Sequence, residues 1–123
     1  LEGWGSVIYE GLSAGCAVVA SHACGSAPWL VRPGGNGFLF ENGKADSLYG
    51  KLYRLCTDAE LTEQLGRNAY RQMQELWNPS VAAKRVIELS EPLLDNRKTE
   101  YADGPLSHRI FDNAKRIRFL FLL

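Results

Sequence analysis

Two carboxylates, Glu2 and Glu10, bracket the run Gly3-Trp4-Gly5-Ser6 and a short hydrophobic stretch. Glycines let a backbone approach a ligand closely. The first amides of a helix lack internal partners and carry partial positive charge, so a helix opening near Ser6 could receive a phosphate or diphosphate. In such a helix Glu10 lies about 6 Å beyond Ser6, at 1.5 Å per residue. Carboxylates accept hydrogen bonds from paired hydroxyls, such as those of a sugar or a ribose. The order acid, anion cradle, acid matches the layout of a nucleotide sugar. The plainer alternative makes Glu2 a surface residue and Glu10 a solvated helix position, because Gly-x-Gly lacks the full dinucleotide fingerprint.

Other side chains carry weaker signals. Trp4 could stack on a ligand ring, although a tryptophan beside glycines more often fills a cleft wall. Cys16 stands just before an apolar run and reads as a small packing residue rather than a nucleophile. His22 follows a strand end, where open α/β sheets place ligands, and its imidazole could serve as a general base; a plain loop histidine is the commoner case. The three cysteines are Cys16, Cys24 and Cys56. They form no C-x-x-C pair, and His22 and His108 lie far apart, so no metal site is expected and free thiols in a reducing compartment are the simpler account.

The elements that must position these groups follow from periodicity. Residues 6–14 read as a helix, with Val7, Ile8 and Leu12 on one side and Ser6, Glu10 and Ser13 on another. Residues 17–20 form a buried-type strand, residues 21–28 a loop, PGGNG at 33–37 a turn, and residues 38–40 a second strand. Leu48, Leu52 and Leu55 stripe a helix over 45–56. Thr57 and Glu60 suggest a capping box for the next helix, whose apolar face is Leu61, Leu65, Ala69, Met73 and Leu76. Asn78-Pro79 opens a third helix carrying Ala82, Val86, Leu89 and Leu93. Residues 95–105 are polar and broken by Gly-Pro, a linker. Leu106, Ile110, Ala114, Ile117 and Phe121 stripe a final helix over 106–123. Strands of buried composition among helices indicate the edge of a parallel α/β sheet, and two short strands need further strands to complete it.

The 123 residues suffice for one modest domain, and 46% hydrophobic with 23% charged residues is ordinary for a globular protein. Lysine plus arginine equals aspartate plus glutamate at 14 each. That balance argues against a general nucleic-acid or membrane-surface binder, both of which need excess positive charge, although a local patch could break the average. There is no signal peptide or membrane-length apolar stretch. Leu1 leads directly into the motif without an initiator methionine, which reads as a piece of a longer protein.

The string EGWGSVIYEGLSAGCAVVAS closely resembles the E-x7-E segment of retaining glycosyltransferases with the GT-B fold, family 4 in particular. GNGFLF at 35–40 and the Asp58-to-Ala69 region are similar to the same family, so the resemblance covers about residues 1–94. It implies an α/β fold: part of the Rossmann-like C-terminal domain of a GT-B enzyme, with two short parallel strands, several helices and a helix-rich C-terminal half. It implies that Glu2 contacts the donor sugar and is the catalytic candidate. The amides of Gly3, Trp4, Gly5 and Ser6 would approach sugar and phosphate, and Glu10 would hold the ribose. It further implies transfer of a hexose-like sugar from a nucleotide donor with retention, without a metal or other cofactor, to a sugar or lipid-linked acceptor. The acceptor-binding N-terminal domain would be the missing partner, and the chain alone is expected to be inactive. A non-catalytic truncated module or interaction domain is the alternative.

Three departures from the family pattern stand out. Ala17 replaces a usual proline, and Trp29 lies near a usual acid. Cys24-Gly25 replaces a common Gly-Gly, so a positive φ at Cys24 would be strained. The expected organisation is a donor-binding part over 1–94, a linker over 95–105 and a helix over 106–123. The tail at 115–123 is basic, then apolar. It reads either as a helix packing on a missing domain, the preferred reading, or as a peripheral membrane contact of a cytoplasmic enzyme.

Overall fold

The hydrogen-bonded framework of the chain was obtained as a computed structural model that describes residues 3–94 and 101–107. The elements in chain order are α1 (Ser6–Ser13), β1 (Val18–Ser21), α2 (Ala27–Leu30), β2 (Gly37–Phe40), α3 (Ala45–Thr57), α4 (Ala59–Glu75) and α5 (Pro79–Leu94). The two strands are parallel, with Val18 opposite Gly37, Val19 opposite Phe38, Ala20 opposite Leu39 and Ser21 opposite Phe40. A parallel pair needs a crossover of a dozen residues or more, which residues 22–36 supply. The chain divides into two units, Leu1–Gln74 and Glu75–Leu123.

In the first unit the core is apolar: Ile8 and Leu12 from α1, Ala20 from β1, Ala27, Trp29 and Leu30 from α2, Phe38 from β2, and Leu65, Ala69 and Met73 from α4. Residues 21–28, read from the sequence as a loop, end instead in α2. Pro28 sits in its first turn, where a missing amide costs nothing. A helix of four residues is too short for periodicity to reveal, and burial of Ala27, Trp29 and Leu30 holds it in place.

A polar knot fastens the crossover to α4. Asn36 is fully buried; its Nδ2 donates to the Leu30 carbonyl at 2.8 Å and to Gln72 Oε1 at 2.7 Å, and its Oδ1 accepts from the Arg32 amide at 2.7 Å. Asn68 Nδ2 donates to the Gly35 carbonyl at 2.9 Å. Every polar group of the Asn36 amide therefore has a partner, the condition for burying it without penalty.

Two sequence expectations shift. The residue that caps α4 is Asp58, whose Oδ1 accepts from the Leu61 amide at 2.9 Å. The Thr57 hydroxyl instead donates back to the Tyr53 carbonyl inside α3, so the cap is one residue later than the capping-box reading. The α3 stripe is not core: Leu48 and Leu55 are half-buried and Leu52 is exposed. Two cations of α3 also meet β2, with Lys51 Nζ 5.6 Å and the Arg54 guanidinium 5.0 Å from the Phe38 ring centroid.

In the second unit Asn78 caps α5 as expected, its Oδ1 accepting from the Val81 amide at 2.9 Å. Val86, expected on the buried stripe of α5, is exposed. Residues 101–107 return to α5. Arg85 Nη1 donates to the carbonyls of Asp103 at 2.6 Å and Pro105 at 2.7 Å, while its guanidinium lies 4.3 Å from the Tyr101 ring centroid. The expected helix over 106–123 and the tail at 115–123 lie almost wholly outside the described residues. Among the described residues no helix is long and apolar enough to cross a membrane.

Candidate functional site

Gly5 is the N-cap of α1, at φ 81° and ψ 58°. That left-handed conformation is open to glycine and strained for a residue with a side chain. Space forbids a side chain as well, because a Cβ on Gly5 would collide with Cys24 Sγ. The Gly5 carbonyl accepts the first turn's bond from the Ile8 amide at 3.0 Å and a second bond from the Ser26 hydroxyl at 3.1 Å.

The loop at Gly3–Gly5 is fixed by the turn that follows β1. The Ser26 amide donates to the Trp4 carbonyl at 2.8 Å, and Cys24 Sγ donates weakly to the same oxygen at 3.5 Å. Gly25 passes so close to the Gly3 carbonyl that a Cβ there would overlap it. These bonds bring the N-terminus of α1 to the C-terminal end of β1. That is the edge of a parallel sheet at which α/β proteins seat ligands. Cys24 itself avoids the left-handed region; among the described residues Leu106 alone of the non-glycines has a positive φ. The strain foreseen at Cys24 does not arise, because Gly5 and the Gly3–Gly25 approach take the unusual geometry.

The electrostatics of this edge follow from what α1 lacks. No side chain caps its N-terminus, and its first turn holds no acidic residue. Among the described residues, no capping side chain and no first-turn carboxylate offsets the partial positive charge of this helix end. Gly3, Trp4 and Ser6 are exposed around it, Trp4 at 56%. Glu10 is exposed on α1, about 6 Å along the axis from Ser6. Trp4, Gly5, Ser6 and Glu10 therefore sit on one supported loop and helix. Glu2, the other acid of the motif, lies outside the described residues.

The sequence reading did not find Cys24, Gly25 and Ser26 as supports of this loop. The signal available to it was the pair of small residues Gly25-Ser26 directly after a strand end. Trp29, noted as a departure from an acidic position, is a buried core residue of α2. Cys16 is exposed and has no bonded sulfur partner.

Residues 1–72 match the family model described as glycosyl transferases group 1. Among solved structures, the chain is similar to sucrose-phosphate synthase from Thermosynechococcus elongatus, at 28% identity and a TM-score of 0.63, over 76% of this chain and 23% of that one. HepE of Anabaena in complex with UDP is similar at 28% identity and a TM-score of 0.63, over 73% of this chain and 25% of that one. The C-terminal domain of LpcC, a glycosyl transferase group 1 family protein from Francisella tularensis, aligns at 28% identity and a TM-score of 0.58, over 63% of this chain and 40% of that one. No curated protein matches the chain. The chain spans about a quarter of the length of the first two structures.

Proposed function

The chain belongs to the glycosyl transferases group 1 family, and on that premise we propose that it forms the donor-binding edge of an enzyme that transfers a sugar from a nucleotide sugar. Its α/β arrangement is that of the C-terminal domain of a GT-B glycosyltransferase. The observation that carries the proposal is the N-terminus of α1: Gly5 in the left-handed region, no capping side chain, no acid in the first turn, and a loop pinned from behind by Cys24 and Ser26. Such an end is built for an external anion.

In this reading the amides around Gly3, Trp4, Gly5 and Ser6 receive the diphosphate, and Glu10 accepts hydrogen bonds from the ribose hydroxyls. Glu2 contacts the transferred sugar. When the bond from the anomeric carbon to the β-phosphate oxygen breaks, negative charge grows on the departing diphosphate. Fixed amides and the helix end stabilise that charge without having to reorganise. Positioning supplies the rest of the rate. The complex of HepE with UDP lends support to a nucleoside diphosphate as the ligand class. Retention at the anomeric carbon, independence of metal, and a sugar or lipid-linked acceptor held by an N-terminal domain complete the proposal.

The kinetic test separates the two acids. In the full-length protein, Glu10→Ala raises KM for the nucleotide sugar by more than it lowers kcat. Glu2→Ala lowers kcat more than it weakens nucleotide affinity. The reverse pattern contradicts the assignment.

A further inference from the structure

Residues 101–107 lie beyond the stretch matched by the family model and carry a strained turn. The Ser107 amide closes on the Gly104 carbonyl at 3.3 Å, with Pro105 and Leu106 between them. Leu106 sits at φ 60°, alone among the described non-glycine residues in having a positive φ. Proline in second place and a positive φ in third describe a type II turn, whose third position belongs to glycine or asparagine. A leucine there is held against its own backbone preference. Such strain persists only where the surroundings over-determine it.

The surroundings are one stretch of α5 and the residue chain just before it. Arg85 Nη1 donates to the carbonyls on both sides of Gly104, those of Asp103 and Pro105, while its guanidinium lies over the Tyr101 ring. Tyr101 in turn donates to the Glu88 carboxylate, about one turn further along α5. Gly104, at φ 87°, passes so close that a Cβ would overlap Arg85 Nη1 and the Leu76 side chain. Ser107 is buried. A strained segment fastened through few groups belongs to the low-stability end of a fold, where local opening takes place without global unfolding. We propose that residues 101–107 form a strained latch on α5, with Arg85 as its catch, and that the segment opens as one unit while α5 stays folded. Opening releases the Arg85 guanidinium and uncovers Leu76 and Ser107. The catch depends on arginine, because one guanidinium nitrogen serves both carbonyls while the same planar group lies over the ring; an ammonium has no such plane. The inference is independent of the donor-site reading.

Amide hydrogen exchange in the full chain tests the catch and the strain separately. The reporters are the Gly104 amide, bonded to Asp103 Oδ1 at 2.8 Å, and the Ser107 amide, bonded to the Gly104 carbonyl. Arg85→Lys keeps the charge and removes the shared nitrogen and the plane. It is expected to speed exchange at both reporters by a common factor of about tenfold, the size of one charge-assisted hydrogen bond. Exchange in the middle of α5 is expected to stay at the wild-type rate. The strain is read from Leu106→Gly against Leu106→Ala. Both lose the side chain, but only alanine keeps the left-handed penalty, so the glycine variant is expected to exchange about threefold more slowly than the alanine variant. Equal exchange in those two variants overturns the stored strain. Wild-type reporter rates in Arg85→Lys overturn the catch. Reporters that speed up together with the middle of α5 overturn the separate opening unit.

Discussion

The Ser26 hydroxyl donates a buried hydrogen bond of 3.1 Å to the carbonyl of Gly5, a residue far away in sequence and only one before α1. With the Ser26 amide on the Trp4 carbonyl, one residue braces the whole entrance to the helix. Ser26→Ala removes the hydroxyl bond but leaves the Gly5 carbonyl its Ile8 partner. The expected cost is about 1 kcal/mol, the net worth of an ordinary hydrogen bond. Urea denaturation checks it, and a loss of nucleotide affinity larger than the stability change marks the brace as part of the binding geometry.

Gly5→Ala tests the left-handed N-cap directly. The substitution forces a Cβ against Cys24 Sγ at a φ of 81°, and strain of this kind costs about 1–3 kcal/mol. The double variant Gly5→Ala with Cys24→Ala relieves the collision and leaves the backbone penalty. Denaturation midpoints of the pair separate the two costs.

Asn36→Ala empties the polar knot between the crossover and α4. It removes three side-chain hydrogen bonds, two of them to backbone. Leaving buried partners unmatched costs about 1–3 kcal/mol. The change is expected to couple with Gln72→Ala in a double-mutant cycle, because the two side chains are bonded to each other. Strict additivity of the two would deny the knot.

The second unit carries a pH signature. The Tyr101 hydroxyl donates to the Glu88 carboxylate at 2.5 Å. That bond holds the Glu88 carboxyl below its usual range and pushes the Tyr101 phenol above its own. A depressed carboxyl contributes stability that is present above its unfolded value and is lost as pH falls through the folded one. A raised phenol contributes stability that is present below its unfolded value and is lost as pH rises through the folded one. Anchoring of residues 101–107 on α5 is therefore strongest between the carboxylate and phenol ranges and weakens toward both extremes. Tyr101→Phe is expected to flatten the pH dependence of amide exchange in this segment at both ends.

Much of the framework was legible in the residues. The alternation of small, apolar and polar positions marks α1, β1 and β2 to within a residue or two, and Asn78-Pro79 marks the start of α5. What escaped was decided by distant partners. Asn36 reads as a turn residue inside PGGNG, and only the approach of α4 makes it a buried anchor. α2 is too short for any period. The leucines of α3 have helical spacing, yet spacing does not say which face a neighbour will cover: Leu52 is exposed, while Lys51 and Arg54 lie over the Phe38 ring. At the candidate site, the glycine ahead of α1, Gly5, was visible in sequence, whereas its braces Cys24 and Ser26 lie about twenty residues later and needed the fold to be seen.

A nucleotide seated at α1 is the central claim for this chain. The most direct measurement is a titration of UDP, GDP and ADP into the full-length protein and its Glu10→Ala variant. At least one of them is expected to bind the wild type and to bind Glu10→Ala about tenfold or more weakly, the size expected for loss of a charged hydrogen-bond acceptor. Equal affinity in the two proteins would contradict it.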